Sequence, residues 1–271
     1  MYKGFFFSVF VILLQFQLHS QEQRFFGVIK VDGAEDRPIS YMLQFDIEED
    51  KMAGYSLTDL LGTHETKNRI SGIFDANTGE VRFSEKEILY TVSSVSDNSF
   101  CFINFEGKLS RAKTDRAKIQ GSFKGLYPDG KECARGTLEL IGDAVIEDLI
   151  DKANKRIQRS KKLPDSLKNE YDVSNLYDST YVHQLGAGGN VNVFSSANRI
   201  NFEIWDGSNE DGDIINLYRG DELILKEFTV RKRKHVFQVD LPEDLNVFRI
   251  EALNQGDQGL NTVMIDIQGN M

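Results

Sequence analysis

Cysteine, histidine, basic charge and long apolar runs are all scarce in this sequence, and each scarcity removes a class of function. There are two cysteines and four histidines in 271 residues. Neither their number nor their spacing suits a zinc site, which normally takes four ligands. No His-Glu-x-x-His helix occurs for a zinc hydrolase, and there is no Gly-x-Ser-x-Gly elbow and no phosphate-binding P-loop. Gly186-Ala-Gly-Gly189 departs from the dinucleotide pattern, because Val191 stands where the third glycine belongs. Basic residues are outnumbered, 32 against 42 acidic, for a net charge of −10 and a pI near 5.0. A chain of that charge repels nucleic acid and anionic membranes as a whole. After the N-terminus no apolar run is long enough to span a bilayer.

The N-terminus itself reads as an export leader over residues 1–20, with an N-terminal membrane anchor as the alternative. Lys3 supplies the positive start, Phe5 to Leu14 the apolar run, and Leu18-His19-Ser20 a cleavage point ahead of Gln21. The remaining ~250 residues suffice for two ordinary domains or one large one. Their balance, 40% hydrophobic and 27% charged, is that of a globular chain. In an exported protein an even cysteine count favours a Cys101–Cys133 disulfide. Cys101, inside Phe-Cys-Phe, equally suits a buried thiol.

Residues 21–142 read as strands: Phe25–Val31, Ser40–Ile47, Lys51–Leu60, Lys67–Asp75, Glu80–Phe83, Ile88–Val95, Phe100–Leu109, Ala117–Lys124 and Arg135–Ile141. Turn signals such as Tyr127-Pro-Asp-Gly130 separate them. Sequential hairpins without a long crossover predict a meander, and closing it into a barrel removes the exposed edges. Glycines within strands, among them Gly54, Gly121, Gly125 and Gly136, suit a strongly coiled sheet. In this strand rhythm the segment resembles calycin-type barrels, the group of lipocalins and avidins. That resemblance implies a lumen for a small apolar ligand; the alternative is a barrel filled by its own side chains.

Residues 143–179 form a charged helical linker. Val145, Ile146, Leu149, Ile150, Ala153 and Ile157 share one helix face. Asp143, Glu147, Asp148 and Asp151 precede Lys152, Lys155, Arg156, Arg159, Lys161 and Lys162, an order that complements the helix dipole. Asp143 is the expected N-cap, the helix is expected to end near Lys162 before Pro164, and Asp165 to Glu170 to form a further turn.

Residues 180–271 read as a second β module with strands Val191–Phe194, Arg199–Trp205, Asp213–Tyr218, Glu222–Phe228, His235–Leu241, Val247–Leu253 and Thr262–Ile267. Seven short alternating strands predict a β-sandwich. The module resembles the immunoglobulin-like and carbohydrate-binding-module-like sandwiches of exported bacterial proteins, without the Cys…Trp…Cys pattern of true immunoglobulin domains. The fold expected for the whole chain is therefore mainly β: a meander barrel, a helical linker and a sandwich.

Candidate chemistry gathers in the second module. Asp206-Gly-Ser-Asn-Glu-Asp-Gly-Asp213 offers the hard oxygens that calcium prefers, with Asp206, Asp211, Asp213 and Asn254 as the candidate ligand set. The same loop equally reads as a glycine-rich turn held by Asx hydrogen bonds. Trp205 beside it has the ring for stacking on a sugar. Arg231-Lys-Arg-Lys-His235 is a hairpin tip whose Arg231 and Arg233 suit an anionic polysaccharide or a phosphate-bearing surface. Arg219-Gly220-Asp221 spells the cell-adhesion tripeptide at another tip. The expected function is that of an exported, non-catalytic binding or envelope-associated protein, in the periplasm or outside the cell, whose sandwich meets a glycan or a protein surface. Two alternatives stand beside it: a carrier of a small apolar ligand in the barrel, and a hydrolase whose carboxylate pair is set by the fold and not by sequence spacing.

Overall fold

A computed structural model describes residues 23–34, 38–60, 62–111, 117–160, 185–207, 210–254 and 262–269. The expected leader, the helical turn after Pro164 and the loop 255–261 lie outside the described residues. The chain divides into two compact units, Met1–Val193 and Phe194–Met271.

In the first unit β1 (Gln23–Val31), β2 (Ile39–Glu48), β3 (Lys51–Thr58), β4 (Thr66–Asp75), β5 (Glu80–Thr91), β6 (Phe102–Arg111), β7 (Ala117–Leu126) and β8 (Glu132–Gly142) pair in sequence order, all antiparallel. β1 also pairs with β8, so the eight-stranded meander closes into a barrel. Closure leaves the barrel without a free sheet edge around most of its girth.

Two expected strands, Glu80–Phe83 and Ile88–Val95, prove to be one. The polar run Ser84 to Glu87 reads as a turn but is a strand carrying a bulge, where the β4–β5 register shifts between Arg69 and Ile70. Beyond Ser84, β5 leaves β6, and the two-residue β9 (Asn192–Val193) takes that edge against Tyr90 and Thr91. β9 was expected to open the second module; it belongs to the barrel sheet instead, because two residues carry no alternation from which to assign them.

The barrel interior is filled. Phe25, Tyr41, Leu43, Phe45, Met52, Ile70, Val81, Phe83, Phe105, Ile119, Leu138 and Leu140 are each at most 2% exposed and form one cluster. Phe25 stacks on Phe45, and Phe83 on Phe105, with centroids 5.8 and 5.1 Å apart.

Cys101 and Cys133 form a disulfide across 32 residues. Cys101 lies exposed just before β6 and not mid-strand, so the buried-thiol alternative falls. The bridge passes over Gly125 of the intervening strand β7: a Cβ there would sit 2.3 Å from Cys101 Sγ and 3.1 Å from Cys133 Sγ.

Helix α1 (Asp143–Arg159) follows β8 directly. Gly142, not Asp143, is its N-cap, and no side chain caps it. Asp143 instead lies 3.6 Å from the Arg24 guanidinium. Ile146 packs with Phe26, Met42 and Leu57 on the outer barrel wall. The helix ends at Ser160, whose N–H bonds the Ile157 carbonyl. Among the described residues no helix is long and apolar enough to cross a membrane.

In the second unit β10 (Arg199–Trp205) is flanked by β13 (His235–Asp240) and β15 (Met264–Gly269), and β11 (Ile214–Arg219) by β12 (Glu222–Thr229) and β14 (Phe248–Ala252). These two three-stranded antiparallel sheets share their apolar faces as a small sandwich. Ile204 of the first packs with Ile215 and Leu217 of the second, and Phe202 meets Phe248 with ring centroids 4.8 Å apart. The order leaves β12 and β13 as edge strands of their respective sheets.

Candidate functional site

The acidic loop and the basic tip, far apart in sequence, meet at one end of the sandwich. Asp206 leaves β10 and Asp213 enters β11, and both are buried, at 3% and 1% exposure. Their backbones join the β12–β13 connection: the Asp206 N–H bonds the Arg231 carbonyl at 2.9 Å, and the Val230 N–H bonds the Asp213 carbonyl at 2.8 Å. The Asp206 and Asp213 side chains are thus buried, while Arg231, Lys232 and Arg233 of the connection are exposed.

The inward part is a braced loop. Asp213 Oδ2 accepts from the Thr262 N–H at 2.7 Å. Asn254 Oδ1 accepts from the Ile214 N–H at 2.8 Å, and its Nδ2 donates to the Gly212 carbonyl at 2.7 Å. Gly212 takes φ +86°, a conformation open to glycine. Burial pushes the Asp213 carboxyl above its ordinary range, the Thr262 N–H opposes this, and the charges of Asp211 and Asp206 add to it. Asn254, taken above as a calcium ligand, spends its carbonyl on the loop backbone. Among the described residues no group of three or more His, Cys, Asp or Glu side chains is arranged to hold a metal ion.

A raised folded pKa makes the ionised Asp213 unfavourable. Its contribution is intact below the ordinary carboxyl pKa and is lost as pH rises through the raised one. Asp213→Asn keeps the acceptor for Thr262 and removes one of three neighbouring charges, so at neutral pH it is expected to stabilise by about 1 kcal/mol. Thermal unfolding at pH 4 and pH 7 checks this: the gain should appear at pH 7 and shrink at pH 4.

The outward part is a groove of about 710 Å³ between the edges of β12 and β13, lined by Lys226, Glu227, Phe228, Thr229, Arg231, Arg233, Lys234, His235 and Val236. Arg231, Lys232, Arg233 and Lys226 are exposed, and none has an ion-pair partner among the described residues. Glu227, in the left-handed region at φ 47°, marks a bulge in β12 and donates its N–H to Asn216 Oδ1 at 2.8 Å. Phe228 and His235 face each other across the groove floor at 4.8 Å.

Trp205 joins the two parts. Lys234 Nζ sits 4.5 Å from its ring centroid and 2.7 Å from Glu203 Oε2. One face of the indole is therefore occupied by a cation, and Trp205 serves to hold the tip in place more than to offer a bare stacking surface. At the neighbouring hairpin the expected tip is present, but Arg219 belongs to β11 and only Gly220 and Asp221 form the turn, with Gly220 at φ 54°.

The barrel holds a polar cluster that the sequence reading missed. Glu85, 5% exposed, lies among the inward side chains of β5. Its Oε1 accepts from the Tyr41 hydroxyl at 2.9 Å and the Ser56 hydroxyl at 2.6 Å, and its Oε2 from the Ile103 N–H at 2.8 Å. The side chain of Asn68 also hydrogen-bonds it, while Asn68 Oδ1 is buried without a partner among the described residues. Burial pushes the Glu85 carboxyl up, and these four donors pull it back. The Ile103 contact stands where the β5–β6 ladder stops at Ser84, so the carboxylate takes over from the missing backbone carbonyl. The place of Glu85 as the next position after Val81 and Phe83 in the same alternation was the available signal.

No protein-family profile, no curated protein and no solved structure matches this chain.

Proposed function

We propose that the second unit binds an acidic polysaccharide of an envelope or extracellular surface, held in the groove between β12 and β13. The observation that carries this reading is the sorting of charge at one end of the sandwich. On a chain of net charge −10 the Asp206 and Asp213 carboxylates of the acidic loop are buried, and Lys226, Arg231 and Arg233 stand exposed without ion-pair partners among the described residues. Guanidinium groups present planar forks to carboxylate and sulfate, and their weak hydration makes the exchange of water for ligand inexpensive. The bulge at Glu227 and the Lys234–Trp205 contact hold the two walls of the groove. The reaction the protein performs, on this reading, is none: it retains a polymer and does not cut it.

Retention of the full chain on immobilised heparin, polygalacturonate and a neutral glucan tests the proposal. Retention on the two acidic polymers, released by salt, is expected, with passage through the neutral one. Arg231→Glu with Arg233→Glu is expected to weaken binding at least tenfold, since it replaces two attractive charges by repulsive ones. Equal retention of wild type and variant would sink the proposal.

A further inference from the structure

Strand β14 forms the far edge of its sheet, and among the described residues it pairs with β11 alone. Edge strands are usually guarded by a bulge, a proline or an inward charge. β12, the opposite edge of the same sheet, carries its bulge at Glu227. β14 pairs with β11 from Phe248 to Ala252 without a register shift, and holds neither a proline nor an inward charge. It is also open to solvent. Ile250 is 42% exposed although its ladder partner Leu217 is fully buried, and Val247 and Leu253 at its two ends are 60% and 42% exposed.

The ladder sets which groups this edge offers. The Leu253 N–H bonds the Ile214 carbonyl, and the Gly220 N–H bonds the Val247 carbonyl, each at 2.8 Å. Bonded positions alternate along an antiparallel ladder. Val247, Arg249, Glu251 and Leu253 therefore turn their backbone groups toward β11, and Phe248, Ile250 and Ala252 turn theirs toward the edge. The same alternation sorts the side chains. Phe248, Ile250 and Ala252 lie on the core face, where Phe248 meets Phe202. Arg249 and Glu251 lie on the outer face, where Arg249 stacks over the Tyr218 ring and Glu251 accepts from Asn216 and Tyr218.

About Ile250 the strand is complementary to itself. A second copy, antiparallel and centred on Ile250, sets Arg249 opposite Glu251, Phe248 opposite Ala252 and Val247 opposite Leu253, each pair on one face. Opposite charges and apolar side chains directly across an antiparallel ladder stabilise it. A slip of two residues either way sets Arg249 on Arg249 or Glu251 on Glu251. A slip of one sets edge groups against groups already bonded to β11. One register thus satisfies backbone, charge and apolar side chains together.

We infer that the chain self-associates through β14, by antiparallel pairing about a twofold axis at Ile250 that joins two three-stranded sheets into one. The contact is isologous, the same edge on both copies. A pair of five-residue strands buries less than a standard stable interface of ~1,600 Å². The dimer is therefore weak, with a dissociation constant on the order of 100 µM. The interface lies at the edge opposite β12 and uses no residue of the polysaccharide groove.

Sedimentation velocity of the full chain from about 5 to 500 µM tests it, that span bracketing the expected equilibrium. A sedimentation coefficient rising from monomer toward dimer is expected for the wild type. Arg249→Glu sets acid on acid across the axis, and Glu251→Arg sets base on base. Each alone should weaken association about tenfold or more. A one-to-one mixture of the two sets every charge against its opposite, and should dimerise as the wild type does. Ile250→Pro removes an edge N–H without touching the β11 ladder, and should hold the chain monomeric throughout. Far-UV circular dichroism and thermal unfolding confirm that each variant is folded. A wild type monomeric at every concentration overturns the inference. So does a dimer that each charge variant alone keeps at full strength, or a mixture that stays monomeric.

Discussion

Replacing Glu85 by alanine is expected to cost the barrel about 4 kcal/mol, the largest effect of any single polar substitution in the first unit. The reason is the donors it would orphan. Tyr41, Ser56 and the Ile103 N–H all point at this one carboxyl, and Tyr41 and Ser56 are fully buried. A buried donor left without an acceptor costs ~1–3 kcal/mol, and alanine is too short to admit another acceptor. The Ile103 N–H fares worst, since it sits where β6 has already lost β5 as a backbone partner. Glutamine should behave differently. Its carbonyl can serve the Ile103 N–H, while its amide turns toward Tyr41 and Ser56, whose hydroxyls rotate to accept. Glu85→Gln is expected to cost ~1 kcal/mol at neutral pH. The pH dependence separates the two roles of the carboxyl. With the folded pKa raised above the ordinary 4.5, its contribution is intact below that value and declines as pH rises through the raised one. Denaturant unfolding of wild type and Glu85→Gln between pH 4 and pH 8 should show a slope in the wild type that the variant lacks.

Loss of the disulfide is expected to cost about 3 kcal/mol, measured as the drop in unfolding free energy of Cys101→Ser with Cys133→Ser. The bond closes a loop of 32 residues that contains β6 and β7 entire. In the unfolded chain that loop is otherwise free, so the bond acts on the unfolded ensemble more than on the barrel. Gly125 offers a sharper test of the same geometry. A Cβ at Gly125 meets Cys101 Sγ at 2.3 Å, closer than any real contact, and the disulfide on one side and β8 on the other leave it nowhere to go. Gly125→Ala is expected to destabilise the oxidised protein by about 3 kcal/mol, the scale of an overpacked core site. In the Cys101→Ser, Cys133→Ser background the same substitution should cost much less, because the serine side chains can turn away. Equal cost in both backgrounds would place the strain elsewhere.

The strands of both units were legible because alternation of apolar and polar side chains is a local property. Ile200, Phe202 and Ile204 declare an inward face without help from any distant residue. The meander order followed from turn signals at each hairpin. What escaped was non-local. Ser84 to Glu87 carries four polar residues in a row, which locally reads as a turn; pairing with β4 keeps them in one strand, so the inward alternation of Val81 and Phe83 runs on to Glu85 before the bulge. Asn192 and Val193 fit any edge, and pairing with β5 decides them. The site divides in the same way. Asp206, Asp213, Arg231 and Arg233 were each visible as residues on turns. That the acids would be buried and the bases exposed depends on the Asp206–Arg231 and Val230–Asp213 backbone bonds, which join positions more than fifteen residues apart. Lys234 over Trp205 likewise followed from no spacing, and it changes the role of the one tryptophan.

The central claim, that an acidic polysaccharide lies in the groove between β12 and β13, is tested most directly by amide hydrogen exchange on the full chain with and without a saturating heparin oligosaccharide. Slowed exchange is expected over Lys226 to Val236, where both strand edges lack a pairing strand among the described residues. That slowing should vanish in Arg231→Glu with Arg233→Glu. Exchange unchanged over those residues, or slowed there equally in the variant, would contradict the account.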